Sequence, residues 1–368
     1  MRNGSRAASE GRETIGLDLS DKTGLYVVID EEAEVVKQGK VSLTQGGIRK
    51  VFSARQPCRI AIEVGTHSPW LSRLLAELGY EVIVANPRQV KLISQGPKKT
   101  DRQDAETLAR LARLDPALLK PIRHRGAQAQ ADLARLRARD ALVKSRTELI
   151  GTARGLVKAD GGRLPQCSAN CFAAKARAAV AKEFLPVIAP LLEIIAGLSL
   201  KLKEIKRELE KLARERYPES AIFRQVSGVG LLTSLRYLLT LEERGRFRRS
   251  REVGAYLGLT TRQRQSGEDN PQLHITKAGD VQLRTALVQC AHYILGPFGK
   301  DSDLRRWGLG LAGQGNKSRK KKAVIAVARK LSVLLHSLWV SGEVYAPLRQ
   351  AEALTAAEDL SRLSLSIK

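Results

Sequence analysis

The sequence predicts an α/β domain at the N-terminus, followed by a basic and mostly helical remainder. Residues 14–85 alternate short apolar runs with turn residues and with two helical patterns, which is typical of a sheet covered by helices. From residue 128 onward, apolar residues recur mainly at helical spacing. Charge divides in the same way, because residues 1–120 hold 19 basic and 15 acidic residues whereas residues 121–368 hold 44 and 23. We therefore expect one part that performs chemistry and another that binds a polyanion, with nucleic acid the first candidate and an anionic membrane surface the second.

The α/β part is expected to begin with an antiparallel meander of three strands. These strands are predicted over residues 14–19, 25–29 and 34–43, with a break in the third strand at Gly39. A helix over residues 45–54, a strand over 59–64, a helix over 68–78 and a strand over 81–85 follow, and Pro87 begins a further helix. The resulting order is strand, strand, strand, helix, strand, helix, strand, helix.

Four acidic residues occupy ordered positions in this pattern. Thr100 is a good N-cap, so Asp101 and Asp104 fall in the first turn of a helix and on one face of it. Asp18 lies inside the first strand, and Glu63 closes the strand predicted over residues 59–64. Each acid alone has an ordinary explanation, as a turn former or as a residue favoured by the helix macrodipole. Acids in buried strands are nevertheless costly unless they are paired or bind a metal, so the four together favour a metal site.

This order of elements resembles the ribonuclease H-like (RuvC-like) fold of Holliday-junction resolvases and many transposases. In that fold the first carboxylate lies on the first strand, the second ends the fourth strand, and the others lie on the helix after the fifth strand. The resemblance assigns these positions to Asp18, Glu63, Asp101 and Asp104. Phosphodiester chemistry requires such a set, because two Mg²⁺ (or Mn²⁺) ions about 3.5–4 Å apart are bound by hard oxygen ligands.

Composition narrows the remaining classes of protein. The most apolar run, residues 184–200, is interrupted by Pro186, Pro190 and Glu193, so no membrane span is expected. The first ten residues are polar and do not resemble a signal peptide. The four cysteines are too scattered for a disulfide framework or a zinc site. These features predict a cytosolic protein of a reducing compartment.

Residues 121–217 are predicted to form a basic helical arm. Apolar residues at helical spacing cover residues 128–158 and again 173–216, on either side of a break at residues 160–165. Two long helices around a break predict an antiparallel hairpin or coiled coil. A spacer, a dimerisation arm and a nucleic-acid groove all remain open as its use.

Gly228 and Gly230 form an apolar-Gly-apolar-Gly turn that opens a helix, as in a helix-hairpin-helix element. Such glycines let backbone N–H groups approach a phosphate at the helix N-terminus, although an ordinary tight turn has the same pattern. Residues 260–271 are polar and without periodicity, which predicts a loop. A final helix is predicted over residues 323–340.

The ordered set of motifs resembles the DEDD transposases of bacterial insertion sequences, the bridge-RNA-guided serine recombinases. The resemblance rests on the four acids, the helical arm, the turn at residues 228–230 and the segments 257–267, 275–284 and 321–330. It implies that Ser266, in a Ser-Gly loop, attacks a DNA phosphate from a composite site assembled between protomers. It also implies element-end and target DNA, a structured guide RNA and a homo-oligomer, from dimer to tetramer, as partners. A serine hydroxyl is a poor nucleophile near pH 7, so metal bound by the four acids would have to activate it.

The expected division is a catalytic domain (residues 1–120), the arm (121–217), a C-terminal transposase domain (218–350) and a tail (351–368). Nucleic-acid contacts are expected from Gly228, Gly230, Arg262, Arg264, Lys277, Arg284, Lys320 and Lys321. The predicted function is a site-specific DNA recombinase that excises and inserts a mobile element. Two alternatives remain: a metal-dependent, structure-specific nuclease of the resolvase kind, in which water is the nucleophile, and an architectural nucleic-acid-binding protein.

Overall fold

The computed structural model describes residues 13–86, 100–265, 267, 271 and 273–349. The chain divides into two compact units, residues 1–127 and residues 128–368. The helix predicted to begin at Pro87 lies outside the described residues.

The N-terminal unit is built on a mixed sheet of five strands. They are β1 (Thr14–Leu19), β2 (Thr23–Ile29), β3 (Val35–Ser42), β4 (Arg59–Glu63) and β5 (Glu81–Ala85). Their order across the sheet is β3-β2-β1-β4-β5. The first three strands pair antiparallel, whereas β1 pairs parallel with β4 and β4 with β5. The predicted α/β class is confirmed, and the mixed order is consistent with a ribonuclease H-like domain.

The predicted break at Gly39 is wrong, because β3 continues through it and Gly39 pairs with Tyr26 on β2. A Cβ atom at Gly39 would lie 2.6 Å from the Tyr26 hydroxyl oxygen, so the tyrosine ring covers the glycine. Glycine here makes room for a cross-strand ring.

Helices cover both faces of this sheet. The unit contains α1 (Gln45–Phe52), α2 (Ser68–Glu77), α3 (Asp101–Leu114) and a 3₁₀ turn at Pro116–Leu119. Ile60 and Ile62 of β4 pack in one core with residues of α1 and α2, whereas Ala61, which points to the opposite face, packs with residues of α3. This alternation places α3 against one face of the sheet, directly over β1 and β2.

The second unit is helical, as predicted. Its helices are α4 (Ala127–Ala159), α5 (Phe172–Ala179), α6 (Leu185–Glu215), α7 (Ser220–Phe223), α8 (Leu231–Leu241), α9 (Glu252–Tyr256), α10 (Val281–Leu295), α11 (Asp303–Ala312) and α12 (Lys317–Ser341), with a 3₁₀ turn at Arg244–Arg246 between α8 and α9. α12 begins six residues before the predicted start, because the Asn316 side chain caps it by accepting from the backbone N–H of Arg319.

The two long helices α4 and α6 run antiparallel. Leu133 and Leu136, near the start of α4, pack with Leu209 near the end of α6, and the end of α4 packs with the start of α6 through a separate cluster. The predicted continuous helix over residues 173–216 is wrong, because the chain becomes extended at Val180 and begins α6 at residue 185. Pro186 explains the break, since proline lacks the N–H that a helix interior requires but fits a first turn.

The main core of the second unit surrounds α12. Val327, Leu331 and Leu335 are fully buried and pack with Tyr237 of α8 and Leu287 of α10. Two helices of the described part, Leu185–Glu215 and Lys317–Ser341, are long and apolar enough to cross a membrane by length and composition alone. A buried core helix passes the same test, so the expectation of no membrane span stays a prediction.

Candidate catalytic site

Asp18 and Glu63 lie at the same edge of the sheet. Asp18 is near the end of β1, and Glu63 is the last residue of β4. β1 and β4 are parallel neighbours whose last paired residues are Leu17 and Ile62, so the two acids follow directly and side by side. Ligand and catalytic residues of α/β sheets gather at this carboxyl edge because the strands end there together.

Asp101 and Asp104 reach the site from the start of α3. The Thr100 side chain caps the helix by accepting a 3.3 Å hydrogen bond from the backbone N–H of Gln103, as predicted. Both acids therefore lie in the first turn, where the free N–H groups and the macrodipole favour negative charge. We name Asp18, Glu63, Asp101 and Asp104 the acidic cluster.

Gly16 sets the distance between α3 and β1. A Cβ atom at Gly16 would lie 2.6 Å from the Ala109 backbone nitrogen and closer still to the Ala105 carbonyl oxygen. Only glycine permits so close an approach of a helix backbone to a strand. Because Ala105 immediately follows Asp104, this contact fixes the acidic turn of α3 beside Asp18, two residues along from Gly16.

The pKa of Asp18 reflects its burial and the charges of the other three acids. Burial, followed by the negative charges of Asp101 and Asp104 and finally of Glu63, raises the pKa of Asp18 from 3.8 to about 6. A hydrogen bond from the backbone of Leu19 opposes this rise. Mutual repulsion of this kind is relieved when a cation binds among the carboxylates.

The donor set fits a hard divalent cation, because all four side chains offer carboxylate oxygens. Among the residues that the structure describes, however, no three acidic, histidine or cysteine side chains are grouped closely enough to form a ready-made metal cage. The cluster thus has the donor chemistry and the charge for a metal site, and metal would have to draw the side chains together.

His67 connects two loops beside the acidic cluster by hydrogen bonds. Trp70 Nε1 donates to His67 Nδ1 over 3.2 Å, which leaves His67 Nε2 to donate to the Asp21 carbonyl oxygen over 2.9 Å. The turn after β1 is therefore bonded to the turn after β4. Sequence reasoning missed this role, since the histidine and its carbonyl partner are 46 residues apart.

Ser68 closes the turn that follows Glu63. Its hydroxyl donates to the Gly65 carbonyl oxygen over 2.8 Å, accepts from the Gly65 backbone N–H over 3.0 Å and lies 2.9 Å from His124 Nε2. Burial, with the charges of Arg73 and Arg125, lowers the pKa of His124, so the ring is neutral at pH 7. These bonds hold the backbone next to Glu63, again through a partner that is distant in sequence.

The predicted functional residues of the second unit include the nucleophile Ser266 and the two glycines of the turn at residues 228–230. Ser266 lies outside the described residues. Gly228 has a φ of +92°, and a Cβ atom there would lie 2.9 Å from the Tyr293 ring. Gly230 is extended, precedes the first residue of α8 and faces open space. Gly228 is thus required by packing as well as by backbone conformation, whereas Gly230 is the one free to face a ligand.

The loop predicted over residues 260–271 is closed at its base by an isolated antiparallel bridge between Thr261 and Ile275. Arg262 and Arg264 are exposed on this loop, and Lys277 takes a φ of +55° on its return. Arg284 points inward instead: its Nη1 donates to the Leu257 carbonyl oxygen over 3.0 Å and to that of Ala278 over 2.7 Å. This guanidinium joins the two ends of the loop.

Lys320 and Lys321 are exposed in the first turns of α12, as a nucleic-acid contact requires. The roles expected for the basic residues of this unit stay predictions.

Comparison with known proteins agrees with the motifs. A family model for DEDD transposases of the IS110 type, described as transposase, matches residues 15–159, and the model of the transposase IS116/IS110/IS902 family matches residues 220–300. A protein of Pseudomonas aeruginosa described as "probable family 20 transposase" is 29% identical over 85% of this chain and 92% of its own length. The transposase for insertion sequence element IS1111A of Coxiella burnetii is 26% identical over 92% of this chain and 93% of its own length. The transposase for element IS1328 of Yersinia enterocolitica is 26% identical over 90% and 98% respectively.

Proposed function

Because the chain belongs to the DEDD transposase family of bacterial insertion sequences, we propose that its acidic cluster binds divalent metal and that Ser266 is the nucleophile of strand exchange. Transposases cleave and rejoin DNA, and this is the class of reaction that the chain catalyses. The observation that carries the metal proposal is the position of Asp18 and Glu63 at the ends of neighbouring parallel strands, with Asp101 and Asp104 in the first turn of the helix packed over β1. The raised pKa of Asp18, caused first by burial and then by these carboxylates, supports it.

The acidic cluster would hold Mg²⁺ or Mn²⁺ at the edge of the sheet. Bound metal would supply Lewis-acid activation and neutralise charge on the phosphate. The chain's own contribution is to place the four carboxylates. β1 and β4 carry Asp18 and Glu63, the capped start of α3 carries Asp101 and Asp104, and Gly16 sets the separation between these elements.

The proposed covalent step balances in atoms and charge. A bond forms between Ser266 Oγ and the phosphorus of the target phosphodiester, and the bond from phosphorus to one strand end breaks. The proton of the serine hydroxyl passes to the oxygen of the departing strand end, which leaves as a hydroxyl group. The phosphoserine link conserves the energy of the phosphodiester, so the strand can be rejoined to a new partner without another energy source.

Three finer expectations form part of the same proposal. A structured RNA guides the choice of site, and the protein acts as a homo-oligomer in the bacterial cytoplasm. The 44 basic against 23 acidic residues of positions 121–368 support a polyanionic partner of either kind.

The proposed domain division is part of the same proposal. The catalytic domain ends at residue 120, the arm, with α4 and α6 as a coiled coil, ends at residue 217, and the C-terminal domain follows with its helix-hairpin-helix element at residues 220–241.

Replacing Ser266 by Ala is expected to abolish a covalent protein–DNA adduct. The protein is mixed with element-end DNA, the cognate RNA and Mg²⁺, the reaction is stopped with detergent, and the adduct is resolved on a denaturing gel. The matched control is Ser318→Ala, which removes an exposed serine hydroxyl from the first turn of α12 and is expected to leave the adduct intact.

Each outcome of this assay distinguishes the proposals. Loss of the adduct with Ser266→Ala but not with Ser318→Ala supports the serine nucleophile. Metal-dependent cleavage without any adduct would reject it and favour the resolvase type of reaction, in which water attacks. Adduct formation at the correct site without RNA would reject the proposal that an RNA guides the choice of site.

A further inference from the structure

A short segment of the second unit contains an unusually high density of arginines. Residues 244–251, which we name the arginine loop, contain five arginines in eight positions between α8 and α9. None of these arginines belongs to the motifs that predicted the transposase function. The question is whether the loop is merely solvated or is built to bind a ligand.

The loop is anchored to the core through His336 of α12, which is 1% exposed. His336 Nε2 lies 3.1 Å from the Arg244 carbonyl oxygen and Nδ1 lies 3.0 Å from the Ser250 hydroxyl. A carbonyl oxygen only accepts, so Nε2 carries the proton and Nδ1 accepts from Ser250. One buried ring therefore fixes both ends of the loop by hydrogen bonds.

The one aromatic residue of the loop, Phe247, faces inward. The Phe247 ring packs edge-on against His336, with centroids 5.6 Å apart, and against Tyr256 of α9 at 5.3 Å. The Arg246 guanidinium lies 4.9 Å from the centre of the Tyr256 ring. Because these rings are used for packing, the loop offers no aromatic platform on which unpaired bases would stack.

Three arginines of the loop remain available to a ligand. Arg248, Arg249 and Arg251 are exposed, and none makes an ion pair with any residue that the structure describes. Glu252 begins α9 directly after them but does not pair with them either. Three free guanidinium groups on a fixed backbone lose less conformational entropy on binding than three mobile ones.

Arg329 of α12 extends the same surface. A Cβ atom at Gly254 of α9 would lie 3.0 Å from Arg329 Cγ, so the arginine stem crosses the buried glycine and its exposed end emerges beside α9. α9 begins immediately after Arg251. The exposed surface therefore combines charges from two segments that are about 80 residues apart in the chain.

We infer that Arg248, Arg249, Arg251 and Arg329 form a binding surface for the phosphate backbone of duplex DNA. Guanidinium groups bind phosphate through paired N–H donors, and phosphate contacts position a duplex without reading its sequence. The absence of exposed rings in the loop favours a duplex over single strands, and the chain acts on DNA. The inference extends the proposed function by naming a surface that holds the substrate, and it does not depend on Ser266.

The test is the salt dependence of binding to a duplex DNA of about 30 base pairs, measured by fluorescence anisotropy with Asp18→Asn as the parent so that no cleavage intervenes. The triple variant Arg248→Ala, Arg249→Ala, Arg251→Ala removes three phosphate contacts. The slope of log K against log salt is expected to become shallower by about 2.7. Between 50 and 200 mM salt, the parent should accordingly lose about 40-fold more affinity than the variant.

A charge-matched control comes from α6. Lys203, Arg207 and Lys211 are exposed there and make no ion pair with any described residue, and alanine keeps the helix. Removing these three charges is expected to change the slope by less than 1, on the scale of about 0.9 per phosphate contact. Replacing the three loop arginines by Lys is expected to restore most of the slope, because the charge is retained.

An equal change of slope in the two triple variants would overturn the inference, since net charge alone would then explain it. An unchanged slope in the loop variant would overturn it as well. If the triple variant does not fold, as judged by circular dichroism, the single variants are measured, each with an expected change of about 0.9. If the triple variant loses more slope, relative to its parent, on duplex RNA than on duplex DNA, the surface is assigned to RNA instead. Failure of cleavage or adduct formation does not bear on this binding measurement.

Discussion

Replacing Asp18 by Asn is expected to reduce metal-dependent DNA cleavage by about 100-fold or more, because even residues that only support a metal ligand cost 10- to 100-fold when replaced. Binding of duplex DNA should persist, since the exposed arginines and lysines of the second unit are untouched. The matched control is Asp21→Asn, which changes an exposed acid in the turn after β1. Cleavage is measured on labelled element-end DNA over a series of Mg²⁺ concentrations.

The same substitution has a second readout in thermal stability, with opposite directions in the absence and presence of metal. The folded-state pKa of Asp18 is raised to about 6 from 3.8, so between these values the unfolded chain releases a proton that the folded chain retains. Stability contributed by this group therefore falls as the pH rises from about 4 to about 6 and stays lower above that range. Without metal at pH 7.5, the Asn variant should melt at a higher temperature than wild type, and the difference should vanish near pH 4.

Added Mg²⁺ is expected to reverse this order, because a ligand that binds only the folded state raises its stability. Wild type should gain melting temperature with Mg²⁺, whereas the Asn variant should gain little. Two results would contradict the model of the site. One is an Asn variant that melts lower than wild type at pH 7.5 without metal, which would give Asp18 a structural role. The other is cleavage that survives chelation of divalent metal.

Replacing Gly16 by Ala is expected to reduce cleavage about 100-fold although Gly16 carries no reactive group. The new Cβ atom would lie 2.6 Å from the backbone nitrogen of Ala109 and closer to the Ala105 carbonyl oxygen. Both neighbours are backbone atoms, so α3 must move away from β1 as a unit. A displacement of about 1 Å at a catalytic group costs on the order of 100-fold in rate.

The substitution should also lower the free energy of unfolding, by about 1–3 kcal/mol, as overpacking of a core usually does. Its matched control is Gly46→Ala in α1 of the same unit, where a Cβ atom would meet nothing within 4 Å. Both variants are assayed at a temperature at which circular dichroism shows them folded. The pKa of Asp18, followed by NMR titration of its carboxyl carbon, should fall in the Gly16 variant as Asp101 and Asp104 move away. Full cleavage activity in Gly16→Ala would show that α3 tolerates the shift and that the glycine does not position the acids.

Most of the elements that carry the acidic cluster could be predicted from local sequence pattern. The strand that carries Asp18 and the one that ends in Glu63 were predictable because apolar periodicity is set within five or six residues. The capped start of α3 was predictable for the same reason, since Thr100 acts three residues along the chain. The order of these elements, through its resemblance to a known fold and family, then supplied the expectation that the four acids meet.

What the tertiary structure alone decided are the contacts between residues far apart in sequence. The approach of α3 to β1 at Gly16, the His67 bond to the Asp21 carbonyl oxygen and the inward-facing Arg284 leave no periodic trace. The arginine loop was visible as charge, but its anchor on His336, about 90 residues later in the chain, was not. The physical reason is that hydrogen bonding and apolar spacing along one element obey short repeats, whereas the fit of one backbone against another depends on the whole fold. The sequence by itself thus determined the α/β class and the candidate acids of this transposase, and only the packing of α3, α9 and α12 determined which glycines, histidines and arginines lie at its two proposed sites.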